Sequence, residues 1–594
     1  MQPDSVASSP TASEPADSPT TAPASAPATA DTLTDQTNYL PRRKIISVFL
    51  ACATVSITGL LDETMVAVAL PIMSSDFNAG SQISWVANAF FVTSTSFQLT
   101  YGRLSDIWAR KATLLVLMLI FFIGNVASSV SKTFIELLVF RAIAGIGGGG
   151  LPTIAQVIVS DVVSLRERGK YQGILGISVA FANGVGPVIG GVFASHVTWR
   201  WIFWLTLPMT VVSAIMVWFF MPLKPVEGDW RVKVRRVDWL GVALILASST
   251  LIVLSLTWAG SEYSWDSPHV LVTLILGLAI AAAFVVWEWK GPRFPLLPLR
   301  IFKNSIVVGA AITQFINGFL TMVQVFYLPT FYQMAYGYSP TKSGAMLLPL
   351  TVVQTFTSTF SGLIVTWTGR YRELILIGWA MWSIGLGLLA TLKADSPIGK
   401  QIGYSILTGI GIGQTFQPSL VAVQGALERK DMAVVTAMRS FARNLGGTIG
   451  LAIAGTMINN VLSSRLHSLP SSIITPDQLK AIVNNPVDTA TNLAEPLRDD
   501  VIDAYRQGFR DVFILLAVLA AFAFFVAAAL LKHRNLDRDD DKDLREQGLQ
   551  FVKELKAAKS RPRRAGDPRK NAAEEKSLSA TTTSEADGGR AEKP

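Results

Sequence analysis

Gly102-Arg-Leu-Ser-Asp-Ile-Trp-Ala-Arg110 returns about 260 residues later as Gly362-Leu-Ile-Val-Thr-Trp-Thr-Gly-Arg370. Gly145-Ile-Gly-Gly-Gly149 is matched in the same way by Gly409-Ile-Gly-Ile-Gly413, and Gly186-Pro-Val-Ile-Gly190 by Gly446-Gly-Thr-Ile-Gly450. Glycine-rich membrane helices resemble one another by chance, because small residues let helices pack closely. Three collinear matches at nearly one offset mark an internal repeat instead.

Around these matches lie about fourteen apolar segments of the length that crosses a bilayer, roughly 17–25 residues. The first six are 45–71, 83–102, 112–130, 135–158, 171–194 and 201–221. Next come 238–258 and 268–289, which have no counterpart in the repeat. The last six are 304–332, 342–366, 373–392, 400–422, 433–460 and 510–532. Half of the chain is hydrophobic and its mean hydropathy is +0.41. The fold class is therefore an all-α polytopic membrane protein, with two six-helix bundles and two inserted helices. Parallel repeats of this kind suit a transporter that rocks around a central site.

Charge sets the orientation. Arg42, Arg43 and Lys44, then Arg103, Arg110 and Lys111, then Arg166, Arg168 and Lys170 fall on one side, as do Arg231 to Arg236, Arg300, Lys303, Arg370, Arg372, Arg429 and Lys430. The short loops opposite carry isolated cations such as Lys132, Arg200, Lys342, Lys393 and Lys400. By the positive-inside rule both termini are cytosolic. The net charge of +9 is then a topological signal, and no nucleic-acid partner is expected.

The domain reading is a disordered cytosolic tail over 1–44, a bundle over 45–221 and a linker with the extra helices over 222–303. A second bundle spans 304–532, with a long external loop at 461–509, and a disordered tail covers 533–594. Residues 1–40 are rich in Ser, Thr, Ala and Pro with only acidic charges, unlike a transit peptide, and no signal-peptide core precedes Ile45. The lone Cys52 excludes an intrachain disulfide, and no phosphate-binding Gly-x-x-x-x-Gly-Lys-Ser/Thr loop is present. His196, His269, His467 and His533 are scattered without metal spacing, so no metal is expected.

The copies have diverged. Asp106 corresponds to Thr366, Arg141 to Ser405 and Pro187 to Gly447, and Asp62 has no acidic counterpart near Leu320. Charge chemistry is thereby assigned to the first half. A carboxylate inside a membrane helix is costly and faces a bundle interior or a wet cavity. Desolvation favours the neutral form of such a group, which suits a proton carrier. Asp62 is the leading candidate, with the alternative of a helix-end acid capped by its own Thr64; Glu63 points roughly 100° away on the same helix.

These motifs resemble those of major facilitator superfamily transporters of the 14-helix drug:proton antiporter type, in the branch common among fungi. Leu61-Asp-Glu-Thr-Met-Val-Ala-Val-Ala-Leu-Pro71 is similar to the first-helix signature Leu-Asp-x-Thr ending in Ala-Leu-Pro. Gly102-x-Leu-Ser-Asp106 with Arg110 and Lys111 is similar to the Gly-x-Leu-Ala-Asp-Arg-x-Gly-Arg-Lys loop, with Ile107 and Ala109 departing from its Arg and Gly. Arg141-Ala-Ile-Ala-Gly145-Ile-Gly147 resembles the fourth-helix Arg-x-x-Gln-Gly-x-Gly, with Ala144 in place of Gln. Gly186-Pro187 and Gly190 resemble a fifth-helix signature associated with exporters, and Arg443-Asn-Leu-Gly-Gly-Thr-Ile-Gly450 resembles the fungal eleventh helix.

The resemblance implies the major facilitator fold and proton-coupled efflux of a hydrophobic drug, toxin or secondary metabolite by alternating access. No enzymatic activity is expected, and no cofactor beyond a proton gradient. Asp62, Glu63 and Arg141 would serve proton coupling or the substrate site. Gly102, Asp106, Arg110 and Lys111 would form a conformational latch, with Asp106 receiving a helix N-terminus of the opposite bundle or an Arg. Gly145, Gly186, Pro187 and Gly190 would set helix kinking and packing, and Phe315 and Phe319 could line the cavity. The expected partners are the lipid bilayer and a small hydrophobic substrate; the chain is expected to work as a monomer in the plasma membrane or, alternatively, the vacuolar one. Two rival readings are a siderophore or basic amino acid transporter of the same fold, and a nutrient sensor that moves nothing.

Overall fold

A computed structural model describes residues 36–37, 39–77, 83, 85–223, 230–259, 263–292, 294–467, 497–536 and 541–560. The first half contains α1 (Arg42–Phe77), α2 (Trp85–Trp108), α3 (Arg110–Ser129), α4 (Phe134–Gly148), α5 (Gly150–Val162), α6 (Leu165–His196) and α7 (Arg200–Phe220). The linker holds the short α8 (Trp230–Arg235) and the inserted pair α9 (Trp239–Trp258) and α10 (Pro268–Lys290). The second half contains α11 (Ser305–Tyr336), α12 (Pro340–Thr368), α13 (Arg372–Leu389), α14 (Ile398–Gly425), α15 (Met432–His467) and α16 (Leu497–Leu530), and α17 (Asp541–Ser560) follows.

The expected fourth span is the collinear pair α4–α5, whose junction Gly149 keeps a helical conformation. Thirteen helices among the described residues are long and apolar enough to cross a membrane. The fourteenth, α2, is rich in Ser and Thr with Gln98, and most of its length is buried between other helices. Its polar residues meet protein rather than lipid.

Local signals set several helix ends. Thr133 and Glu136 form a reciprocal capping box at the start of α4. Ser267 and Ser339 cap α10 and α12, each followed by a proline in the first turn. Gly337 and Gly369 end α11 and α12 with φ of 62° and 71°, the left-handed conformation that glycine adopts without steric cost.

The repeat is visible as matched crossings. A side chain at Gly102 would press on the Ala433 carbonyl of α15, 2.8 Å away, whereas Gly362 abuts Gly169 of α6. Gly145 packs on the Phe90 carbonyl of α2, and Gly409 packs on the Leu350 carbonyl of α12. Gly190 faces Met65 of α1, and Gly450 faces Phe319 of α11. The bundles therefore meet along two seams, α2 with α15 and α6 with α12.

Helix α9 lies against both α2 and α15, with Ser96 and Thr250 hydroxyls 2.9 Å apart, and α10 packs on α9. The extra pair holds the buried Glu288 at its cytosolic end. Its carboxylate accepts hydrogen bonds from the Leu296 and Leu297 amides and fixes the turn beyond α10.

Three expectations need correction. Helix α16 starts at Leu497, so half-apolar helix occupies part of the supposed external loop 461–509; residues 468–496 lie outside the described residues. The tail 533–594 is expected to be disordered, yet residues 541–560 form α17, whose Val552 is buried against the cluster containing Leu40 and Val48. The N-terminal tail is also anchored: Gln36 donates to the Ser105 and Asp106 carbonyls and accepts from the Arg110 amide. Most of both tails lies outside the described residues.

Candidate functional site

Asp62 and Arg141 meet in the first bundle. Arg141 Nη1 donates to Asp62 Oδ2 at 2.8 Å, and the two side chains are 0% and 1% exposed. The guanidinium also reaches the Val86 carbonyl and lies over the rings of Phe90 and Phe203, 4.6 and 5.6 Å from their centres. Asp62 Oδ1 has no hydrogen-bond partner among the described residues. The alternative of a Thr64 cap on Asp62 is overturned: the single Thr64 hydroxyl proton is directed to the carbonyls of Leu60, Leu61 and Ala182, all within 3.2 Å. The pair was not legible as a pair because the residues are 79 apart in sequence.

Glu63, next on α1, is half-buried, and Asp62, Arg141 and, from the second bundle, Arg443 of α15 act on it electrostatically. Arg443 Nε donates to Asn317 Oδ1 of α11 at 3.1 Å, and its guanidinium stands 5.0 Å from the Phe416 ring of α14. Met65 and Phe319 take matching places against Gly190 and Gly450; counting back two residues sets Glu63 opposite Asn317. Arg443 thus relates to both members of a repeat pair and belongs to the meeting place of the bundles. In sequence Arg443 opens the motif Arg443-Asn-Leu-Gly-Gly-Thr-Ile-Gly450, which by itself assigns it no role.

The cytosolic ends hold a second constellation. Arg110 donates to Asp106 Oδ1 at 2.5 Å, to Asp161 Oδ2 at 2.8 Å and to the Ser105 hydroxyl. Of the two partners anticipated for Asp106, this is the Arg, and it comes from the same bundle. Asp161, at the end of α5, is the missed third member; it sits outside any quoted motif. Lys111 donates to the Trp218 and Met221 carbonyls, which caps the end of α7 rather than joining the network.

Contacts between the bundles at this end come from other residues. Arg166 donates to the Thr366 and Trp367 carbonyls, Arg168 to Gln424 Oε1, and Gln417 to the Gln172 carbonyl. Arg103 reaches the Pro295 carbonyl, which ties α2 to the segment after α10. Together with the Gly102–Ala433 and Gly169–Gly362 crossings they seal the cytosolic end. A cleft of about 780 Å³ lined by Arg300, Lys430, Asp431 and Arg534 lies outside this seal.

Gly145 packs on α2, and Gly186 and Gly190 pack on α1, where a side chain at Gly186 would collide with the Thr64 hydroxyl. The Pro187 side chain lies outside the described residues; helix α6 runs through that position. Phe319 is 4% exposed and packs in the core of the second bundle, and Phe315 is half-buried against the same core. The facing of an apolar ring is not readable from periodicity when lipid and core are equally apolar. Among the described residues no group of His, Cys, Asp and Glu could hold a metal ion.

Residues 52–451 match the Major Facilitator Superfamily. The chain is 34% identical over 502 residues to citrate exporter 1 of Yarrowia lipolytica, covering 84% of this chain and 74% of that protein. It is 32% identical over 506 residues to the MFS transporter L2 of a Phoma species, covering 85% and 84%. Efflux pump FUS6 of Gibberella fujikuroi is 31% identical over 508 residues, covering 82% and 89%. Among solved structures, the proton:xylose symporter XylE matches with a TM-score of 0.55 at 12% identity, covering 86% of this chain and 99% of that one. The human organic anion transporter MFSD10 matches with 0.52 at 13%, covering 82% and 100%. The likeness to these two is one of fold. With its paired six-helix bundles and the motif residues placed at their crossings, the chain belongs to the major facilitator superfamily of membrane transporters.

Proposed function

We propose that this chain exports a small hydrophobic drug, toxin or secondary metabolite from the cytosol in exchange for protons, as a monomer in the plasma membrane. The observation that carries the coupling is the dry Asp62–Arg141 pair beside the half-buried Glu63. The efflux direction is supported by relatives that are named exporters and efflux pumps over most of their length.

Protonation at the unpartnered Asp62 Oδ1 would discharge the carboxylate and loosen its hold on Arg141. Helices α1 and α4, joined by that pair, would then be free to shift relative to each other. At the cytosolic end the Asp106–Arg110–Asp161 network keeps the tip of α2 in shape, so that Gly102 can seat on α15. The sealed cytosolic end corresponds to the outward-directed half of the cycle. The gradient would supply the energy, with no cofactor.

The test is transport into inside-out vesicles under an imposed proton gradient, using compounds found by screening a deletion strain against a panel. Gradient-driven uptake by the wild type and its loss in Asp62→Asn, at unchanged expression, is the expected result. Full proton-driven uptake by Asp62→Asn would remove the coupling assignment. A chain that moves none of the compounds to which the deletion strain becomes sensitive would favour the sensor reading.

A further inference from the structure

Two guanidinium groups of α15 sit inside the protein without a carboxylate at ion-pair distance among the described residues. Arg439 is 1% exposed; its Nη2 donates to the Phe416 carbonyl at 2.7 Å and its Nε reaches the Ser419 hydroxyl. Arg443, one turn on, is half-buried and donates through Nε to Asn317. Its two terminal nitrogens donate to no described residue. Both cations lie over the same Phe416 ring, at 4.5 and 5.0 Å. Glu63, the nearest acid acting on Arg443, makes no hydrogen bond to it and belongs to the other bundle.

The partners of Arg443 come from α11 and α14, and Glu63 of α1 in the other bundle acts on it electrostatically, which puts its exposed part on the side of the space between the bundles rather than of lipid. A guanidinium held there cannot shed its charge by losing a proton, and an unpaired buried charge is costly. The geometry leaves a planar fork of donors without a described acceptor, with the Phe416 ring alongside. A carboxylate satisfies such a fork with two parallel hydrogen bonds.

We infer that the cargo carries a carboxylate or similarly compact anionic group, which Arg443 binds while its apolar part rests on Phe416. Asn317 is the positioning residue: its Oδ1 holds Arg443 Nε, and its Nδ2 donates to Thr415 at 3.1 Å. Glu63 is the resident negative charge against which the arriving anion competes. The inference deepens the efflux reading and rests on it for the direction of movement.

The experiment uses the full chain in lipid nanodiscs without any gradient, titrated calorimetrically with citrate, 1-pyrenebutyrate and decanoate and with the methyl ester of each. At least one acid is expected to bind about ten- to a hundredfold more tightly than its ester, the range of a charged hydrogen bond. Arg443→Gln should erase that preference and Arg443→Lys should keep part of it. Asn317→Asp, which places a carboxylate on the guanidinium without removing it, should erase the preference as well, and Glu63→Gln should sharpen it. If none of the three acids outbinds its ester, or if the preference survives both Arg443→Gln and Asn317→Asp, the inference falls. An acid that binds through Arg443 yet is not exported under a gradient would instead sink the efflux reading, whereas export of esters with acids ignored would sink only the anion.

Discussion

Arg141 on α4 donates to Asp62 on α1 across 2.8 Å, and neither side chain reaches solvent. Breaking one side of such a pair leaves an uncompensated buried charge, at roughly 3–5 kcal/mol, whereas replacing both partners by apolar groups of similar volume is often neutral. Asp62→Asn should therefore lower the thermal unfolding midpoint of the purified protein, and Arg141→Gln should do the same. The double variant Asp62→Leu/Arg141→Met should recover most of that stability without recovering gradient-driven transport. Thermal melts by fluorescence-detected chromatography read the first part and vesicle uptake the second. A double variant as unstable as either single one would show that the two residues do not act as a pair.

Ala109 stands where the resembled loop has glycine, and it keeps a glycine-like backbone, with φ of 89° between α2 and α3. A side chain in that region costs on the order of 1–3 kcal/mol. The position is 9% exposed and packs beside the Asp106–Arg110 bond, so the strain is tolerated because neighbouring contacts fix the turn. Ala109→Gly should raise the unfolding midpoint, minus a few tenths of a kcal/mol for the looser unfolded chain. An unchanged or lower midpoint would mean that the turn relaxes in solution.

The repeat, the spans and the Asp62, Asp106 and Arg141 motifs were legible because glycine crossings and intramembrane charges are rare and leave local marks. Partners were less so. Asp161 and Arg443 complete their clusters from helices distant in sequence, and nothing local announces that. Phe319 shows the limit of hydropathy: in a membrane protein an apolar residue reads the same whether it meets lipid, core or cavity. Helix α17 was missed for the opposite reason, since its many charges read as a solvated tail although one face carries Leu544, Phe551, Val552 and Leu555.

The two tails meet on the cytosolic face. Asp541 of α17 accepts from the Tyr39 hydroxyl at 3.1 Å and pairs with Arg429 of the second bundle at 3.5 Å, while Arg545 lies 3.9 Å from Glu167 of the first. Burial pushes the Tyr39 phenol above its ordinary range, so it stays a donor at neutral pH. Each exposed ion pair contributes roughly 0–1 kcal/mol, and burying Val552 adds roughly 1.5–3 kcal/mol. Ending the chain at Leu536 should then open the cytosolic end more often, speeding labelling of a cysteine placed at Gln36 in a Cys52→Ala background. Equal labelling rates in the truncated and full chains would show that the strap carries no weight.

Gly169 on α6 and Gly362 on α12 bring the two bundles into backbone contact. A Cβ at Gly169 would lie 2.6 Å from the Gly362 carbonyl oxygen, and one at Gly362 would collide with the Gly169 carbonyl. At these two glycines the seam is backbone against backbone, and one turn along the Thr359 hydroxyl donates to the Gly173 carbonyl at 2.8 Å. Gly169→Ala should impede closure of the cytosolic end and Gly169→Val should prevent it. Spin labels at Arg166 and Trp367 should move apart in that order, with transport falling at least about tenfold for Val if the open form gains roughly 1.4 kcal/mol. Gly184, on the same helix, has no described atom beyond its own helix backbone and chain neighbours within 4 Å of where its Cβ would stand. Gly184→Ala is therefore the internal control, and it should leave the distance unchanged and add a little helix stability, roughly 1 kcal/mol. Unaltered distances and turnover in Gly169→Val would show that the seam at Gly169 and Gly362 is not part of the gate.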